Sequence, residues 1–236
     1  MTPEQTSISI IIPTLDEADF IAGTLASIPK EPGLEIIVVD GGSRDDTPVI
    51  SQSLGALVLF SSPGRARQMN LGAAASNGDI FLFLHADTRL PEGFTGHIHQ
   101  CLRDPRVVAG AFRLSLAPPI KGSAFIEKMA NLRAEKWHLP YGDQAIFVLA
   151  KKFKELGGYK EIPLLEDVDL VRRLRKVGRL AVIPVPVLAS SRRWKELGVW
   201  KTTWINQVIL TGFFLGIPPR ILARWYYRIR FLHPLF

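Results

Sequence analysis

The sequence predicts an α/β domain with a mostly parallel central sheet flanked by helices, followed by a helical, basic and aromatic C-terminal tail. Three observations carry this. Short β-branched apolar runs recur with stretches of helical spacing between them. Each run is nearly continuous in apolar residues, as in strands buried on both faces of a parallel sheet with right-handed crossovers. Finally, residues 1–191 hold 21 basic and 21 acidic side chains, so the whole net charge of +7 lies in residues 192–236, with eight basic residues against one acid.

The elements follow in order. Ser7–Ile12 is the first strand, stopped by Pro13, and Glu17–Ile28 has helical spacing. Glu35–Val39 is the second strand, and Asp46–Leu54 a helix with Pro48 in its first turn, where a missing N–H costs nothing. Leu57–Phe60, Arg65–Ser76 and Ile80–Leu84 complete a βαβαβαβ half. From about residue 105 the pattern changes to a run Val107–Leu114, a mixed stretch to Trp137, a run Gln144–Ala150 and a charged amphipathic segment Glu166–Lys176. Leu180–Ala189 contains Pro184 and Pro186, which cannot donate to a ladder, and reads as an irregular edge strand. There are no internal repeats, and 236 residues with 47% apolar and 22% charged side chains suit one domain, 1–191, plus the tail, 192–236.

The single cysteine, Cys101, can form no internal disulfide, and no Cys/His spacing offers a zinc site, which points to a reducing, cytoplasmic compartment. Met1–Ser7 has no basic segment before its apolar run, so no secretory signal is read. In the tail, Arg192, Arg193, Lys195, Lys201, Arg220, Arg224, Arg228 and Arg230 alternate with Trp200, Trp204, Phe213, Phe214, Trp225, Tyr226, Tyr227 and Phe231. Basic, aromatic and aliphatic residues mixed over helices suit an anionic lipid interface better than a nucleic acid. Trp204–Ile217, 14 residues with three polar interruptions, falls short of the roughly 20 needed for a span. The expectation is a helix pair lying peripherally on the inner face of the membrane. The alternative is packing on the catalytic domain or on a second protomer of a homo-oligomer.

Ligands of open parallel sheets bind beyond the carboxyl ends of strands. Those ends here read Pro13-Thr14-Leu15-Asp16-Glu17, Asp40-Gly41-Gly42-Ser43 and His85-Ala86-Asp87. Neither GxGxxG nor GxxxxGK[ST] occurs, which argues against a dinucleotide fold and a P-loop. Asp40 and Ser43 read either as ligand groups or as caps of the next helix. Arg65 and Arg67 open a helix where a diphosphate could lie, or are solvated surface charges. Glu166-Asp167-x-Asp169 reads as a site or as an acidic helix start. Tyr141-Gly142-Asp143-Gln144 reads as a sugar-binding loop or a plain turn. His97 and His99, two apart, point to different faces of a helix and read as surface.

Taken as an ordered set, these motifs resemble the inverting nucleotide-sugar glycosyltransferases of family 2, small bacterial type, over residues 8 to about 194. The resemblance implies the GT-A fold and a sugar transfer, with inversion, from a nucleoside-diphosphate sugar to a hydroxyl acceptor, possibly lipid-linked. It implies that Pro13, Thr14, Leu15, Glu17, Asp40 and Gly42 wrap base and ribose, and that Arg65, Arg67 and Arg193 face the diphosphate. Glu166 is the Glu of the family's Glu-Asp signature, and it and Asp143, whose turn could hold donor sugar or acceptor, are expected to bind substrate. Asp87 would hold Mn²⁺ or Mg²⁺; His85, where the family has the first Asp of Asp-x-Asp, reads either as a second ligand, acceptable to Mn²⁺ and poor for Mg²⁺, or as a satisfied buried histidine beside the site. Asp167 would be the general base, since an acceptor hydroxyl needs a carboxylate to take its proton. Ser190-Ser191-Arg192-Arg193-Trp194 is similar to the Gln-x-x-Arg-Trp signature of processive members without its Gln, and Trp194 would meet the acceptor. The rivals are a sugar nucleotidyltransferase, a methyltransferase, and a membrane-recruited nucleotide-binding module without activity.

Overall fold

The computed structural model describes residues 6–231. The reading of Met1–Ser7 falls largely outside them, as do the side chains of Arg230 and Phe231. The first half matches its expected order: β1 (Ile8–Thr14), α1 (Ala18–Leu25), β2 (Leu34–Asp40), α2 (Thr47–Ser53), β3 (Leu57–Phe60), α3 (Arg65–Ala75) and β4 (Ile80–Phe83). There follow β5 (Thr88–Arg89), α4 (Phe94–Leu102), β6 (Val107–Ala117), α5 (Ser123–Trp137), a 3-10 turn Gly142–Gln144, β7 (Ile146–Leu149), α6 (Ala150–Glu155), α7 (Glu166–Leu174) and β8 (Arg179–Ser190). The chain closes with α8 (Arg192–Leu197), α9 (Val199–Phe214) and α10 (Pro219–Phe231).

One sheet holds all eight strands in the order β3-β2-β1-β4-β7-β6-β8-β5. β1 to β4 pair in parallel, with Thr14 beside Asp40 and Ile11 beside Phe83. β7 runs antiparallel to both β4 and β6, and β8 is parallel to β6. The sheet is therefore parallel in four pairings and reversed in three. β8 is not the outermost strand, because β5 covers its end at Leu188 and Ala189. Its prolines do break the ladder: Phe112 pairs with Ile183 and Arg113 with Pro186, so Pro184 and Val185 bulge out.

Both faces of the sheet's centre are covered, which is why β1 and β4 read as continuous apolar runs, whereas edge strand β3 leaves Leu57 and Phe60 exposed. Ile8, Ile10 and Ile12 point into a core with Ile21, Phe94 and Ile98 of α1 and α4, while Ile11 points the other way onto Met69 of α3 and Val168 of α7. The unplaced stretch before Trp137 is helix α5, whose Ile126 and Ala130 pack on Leu114 and Leu116 of β6. The tail is three helices rather than two. Ile205 and Ile209 of α9 pack on Leu222 and Tyr226 of α10 and on Leu164 and Leu165 of the preceding body.

Candidate functional site

Strand direction gathers the motif residues at one edge. β1, β2 and β4 end there; β7, being reversed, begins there, with Ile146 beside Phe83; and β8 ends there. Glu17, Asp40, His85, Asp87, Asp143, Asp167 and Arg192 thus arrive from six separate segments at the carboxyl edge of the parallel strands.

The loop after β2 is shaped by Asp40, which is 1% exposed. Its Oδ2 accepts the N–H groups of Gly42 and Ser43, both at 2.8 Å, and its Oδ1 accepts the hydroxyls of Ser43 and Thr14. Gly42 has φ +95°, a left-handed conformation that favours glycine. The loop clasps the end of β1: Asp16 N–H donates to Ser43 Oγ, Glu17 N–H to Thr47 Oγ1 and Ala18 N–H to Asp45 Oδ2. Pro13 and Thr14 are buried, whereas Leu15 is 45% exposed on the rim.

Beyond β4, His85 is half-buried and its pKa is pushed down to about 3, by desolvation first and then by the charges of Arg65, Arg192 and Arg193. Its imidazole is therefore neutral. Asp87 meets Arg192, whose Nε lies 3.3 Å from Asp87 Oδ2 and whose Nη2 donates to Glu17 Oε1. Burial raises the Glu17 pKa against the opposing pull of Arg192.

The third wall is the turn Gly142–Gln144. Gln144, fully buried, donates to Phe112 O and accepts from Tyr141 N–H and Arg133 Nη2, while Arg133 also donates to Leu139 O and lies 3.4 Å over the Tyr141 ring. This fixes Gly142, whose N–H donates to Asp167 Oδ2 at 2.6 Å. Asp167 Oδ1 accepts the Val168 N–H at 2.8 Å. Asp167 opens α7 after Leu165, which sits at φ +64°, a strained conformation for a branched side chain. Burial, then the Asp167 charge, raises the neighbouring Glu166 to about 7. Asp143 is also raised by burial, and its Oδ1, Glu17 Oε2 and the Tyr141 hydroxyl are buried without a hydrogen-bond partner.

The remaining candidates divide. The Arg65 charge acts on His85, Glu17 and Glu166. Arg67 turns to the surface, pairing with Glu161 at 2.9 Å and with Ser62. The Arg193 charge acts on His85 and Asp143, and its Nη2 donates to Asn206 of α9 at 2.7 Å. Trp194 packs against the cluster of Leu114, Leu116 and Ile126 instead of facing the cleft. His97 and His99 lie on α4, away from these groups, and His99 Nε2 meets Thr6 O at 3.0 Å. Asp169 pairs with Arg173 and Lys160.

Sequence reasoning missed Gln68, Arg133 and Gln144 as supports and Arg192 as a site residue. Gln68, 3% exposed, donates to Thr14 O at 2.7 Å and Val39 O at 2.8 Å, tying β1 to β2 behind the loop. A polar residue on the buried stripe with Ala66, Met69 and Ala73 is the signal that would have found it.

The model of the family described as Glycosyl transferase family 2 matches residues 9–147. A glucosyl-3-phosphoglycerate synthase of Mycolicibacterium paratuberculosis is 38% identical over 93 residues, covering 34% of this chain and 28% of that protein. The probable glycosyltransferase YdaM of Bacillus subtilis is 27% identical over 245 residues, 89% of this chain and 57% of that one. The chain thus spans less than two thirds of these relatives. Among solved structures, the mannosyltransferase PcManGT of Pyrobaculum calidifontis, in complex with GDP-Man and Mn²⁺, superposes with a TM-score of 0.61 at 18% identity, over 78% of this chain and 56% of that chain. The mixed sheet and flanking helices are those of the GT-A fold. With more than half its length matched by the family model, the chain belongs to glycosyltransferase family 2.

Proposed function

We propose that the chain transfers a sugar from a nucleoside diphosphate to a hydroxyl acceptor with inversion at the anomeric carbon. The observation that carries this is the carboxyl edge itself. Six chain segments bring acids and guanidinium groups together there, with three buried oxygens, on Glu17, Asp143 and Tyr141, unpartnered. Buried polar atoms without partners are rare and point to a ligand's donors. In this reading the acceptor oxygen attacks the anomeric carbon, the bond to the diphosphate breaks, and the nucleoside diphosphate leaves with the electron pair. Asp167 takes the acceptor proton. The Gly142 N–H holds its carboxylate in place. Leu15, Glu17, Gly42 and the loop braced by Asp40 and Thr14 face base and ribose; Arg65 and Arg193 face the diphosphate. Arg67 would join them only by leaving Glu161.

The Mn²⁺ or Mg²⁺ implied by the resemblance requires free hard ligands, and PcManGT is a Mn²⁺ complex. Here Asp87 is engaged by Arg192, and the Nε2 of His85 is turned towards Gly142. Among the described residues no three His, Cys, Asp or Glu groups stand close enough to hold an ion. The residues as arranged do not fit a metal, and no step above passes through one.

The sheet body, 1–191, with Arg192 and Arg193 from the start of the tail, is the catalytic part in this reading, and the rest of the tail to 236, together with α5, its membrane contact. Along α5 and α9, Phe125, Met129, Trp200 and Trp204 are exposed, with Trp200 at 76%, and Phe125 and Trp200 touch at 5.8 Å. Lys121, Lys128, Lys195 and Lys201 stand near these residues in sequence, a composition that suits an anionic surface. No helix among the described residues is long and apolar enough to cross a membrane. A lipid-linked acceptor at the membrane face would fit this arrangement.

The test is a screen of the full chain with UDP-, GDP- and dTDP-sugars, reading nucleoside diphosphate release and the product anomer by proton NMR. An α-linked donor should give a β-linked product. Retention would refute single displacement, and failure of all three nucleotides to bind would remove the transferase reading.

A further inference from the structure

Arg192 is the one cation of the site that sequence reading left among the tail charges, and it is the best anchored. The backbone leading into it is held at two points. Ser190 N–H donates to Asp87 O at 3.1 Å, and Ser191, fully buried, donates its hydroxyl to Pro118 O at 2.8 Å. The side chain then turns back into the cleft. Nη2 donates to Glu17 Oε1, Nε faces Asp87 Oδ2 at 3.3 Å, and the guanidinium carbon lies 4.5 Å over the Phe20 ring. One guanidinium thus bridges the two carboxylates that the resemblance assigns to nucleotide and metal. Among the described residues no hydrogen bond or ion pair engages its Nη1.

A diphosphate brings two or more negative charges to an edge already carrying Glu17, Asp87, Asp143 and Asp167, so a cation is obligatory there. A divalent ion between Glu17 and Asp87 would have to displace Arg192, breaking two ion contacts and the ring contact together. A guanidinium, by contrast, keeps planar donors free for phosphate oxygens while its other donors hold carboxylates.

We propose, resting on the transferase reading, that Arg192 is the built-in counter-charge for the donor diphosphate, standing with Arg65 and Arg193 in the place of a divalent cation. Donor binding by this chain therefore needs no metal. Glu17 and Asp87 act in this scheme as the clamp that aims Arg192.

The experiment is calorimetric titration of the full chain with UDP, GDP and dTDP in EDTA and again in Mn²⁺. Wild type should bind one of them in EDTA within about threefold of its affinity in Mn²⁺. Arg192→Ala should lose about 10- to 100-fold in EDTA, the range of a lost charge-assisted bond. It should regain affinity in Mn²⁺, because Glu17 and Asp87 are then free to take an ion, a rescue that a merely structural role would not produce. Arg192→Lys, which keeps the charge, should bind without metal at intermediate affinity and serves if the alanine variant does not fold. Wild-type binding that requires Mn²⁺ overturns the proposal and leaves the transferase reading standing. Arg192→Ala or Arg192→Lys binding like wild type in EDTA also overturns it, and absence of binding in every condition overturns both.

Discussion

The backbone N–H of Gly142 lies 2.6 Å from Asp167 Oδ2, and a Cβ placed on Gly142 would stand 2.9 Å from His85 Nε2 and 3.3 Å from that same carboxylate oxygen. The turn before β7, the segment after β4 and the start of α7 therefore meet at a point with no room for a methyl group. The carboxylate proposed as base is aimed by a backbone group, so its orientation depends on the absence of a side chain at residue 142.

Gly142→Ala should then lower kcat/KM by at least about tenfold, since a small displacement of a reacting group is costly. The lost contact lies at a partly exposed turn, so the shift in thermal unfolding should stay within a few degrees. Steady-state kinetics beside a melting curve checks this; unchanged turnover would mean that the Asp167 position does not matter to transfer.

Asp167→Asn should reduce transfer by about 10²- to 10⁴-fold, the usual contribution of a general base, with nucleotide affinity nearly intact. Turnover within threefold of wild type would remove Asp167 from its role.

Glu166 gives a prediction about pH. Its folded pKa is raised, by burial first and by Asp167 second, to about 7. A raised carboxyl favours the fold while protonated, so that contribution is present below the unfolded value near 4.3 and is lost as pH rises through the folded one. Glu166→Gln should melt close to wild type at pH 4 and be more stable by roughly 1–3 kcal/mol at pH 8. Melting curves with the same difference at both pH values would show that Glu166 carries no such penalty.

Much of this was legible beforehand, and the limits have physical causes. β1, β2 and β4 were found to within two residues because burial on both faces leaves an unbroken apolar run, and β3 was found from its apolar residues although Leu57 and Phe60 are exposed at the sheet edge. That same property hid the reversal of β7: Ile146–Leu149 is buried on both sides like a parallel strand, and apolar continuity does not record direction. Helix α5 was missed because its outer face carries Phe125, Met129 and Leu132, which blurs the apolar period set by Ile126, Ala130 and Ala134. The motif acids could be recognised from their order. Arg192 could not, since nothing in a run of basic residues tells which one folds back onto Glu17.

The membrane contact is tested with liposomes. The full chain should sediment with anionic vesicles and be released by salt, as screening shortens the reach of the lysines and arginines. The pair Trp200→Ser and Trp204→Ser, both side chains more than half exposed, should weaken sedimentation while leaving thermal stability unchanged. Retention of binding in that double variant would move the contact elsewhere, and dimerisation in place of sedimentation would assign the strip to a second copy.

The two residues of β5 have a consequence for measuring motion. The Ser190 amide is bonded to Asp87 O, and Thr88 and Arg89 are laddered to Ala189 and Leu188. The segment that opens the tail thus shares hydrogen bonds with the segment that carries Asp87. Hydrogen–deuterium exchange at Ser190 is therefore a native gauge of the cleft: its protection lasts only while both segments stay joined, and no label need be introduced to follow it.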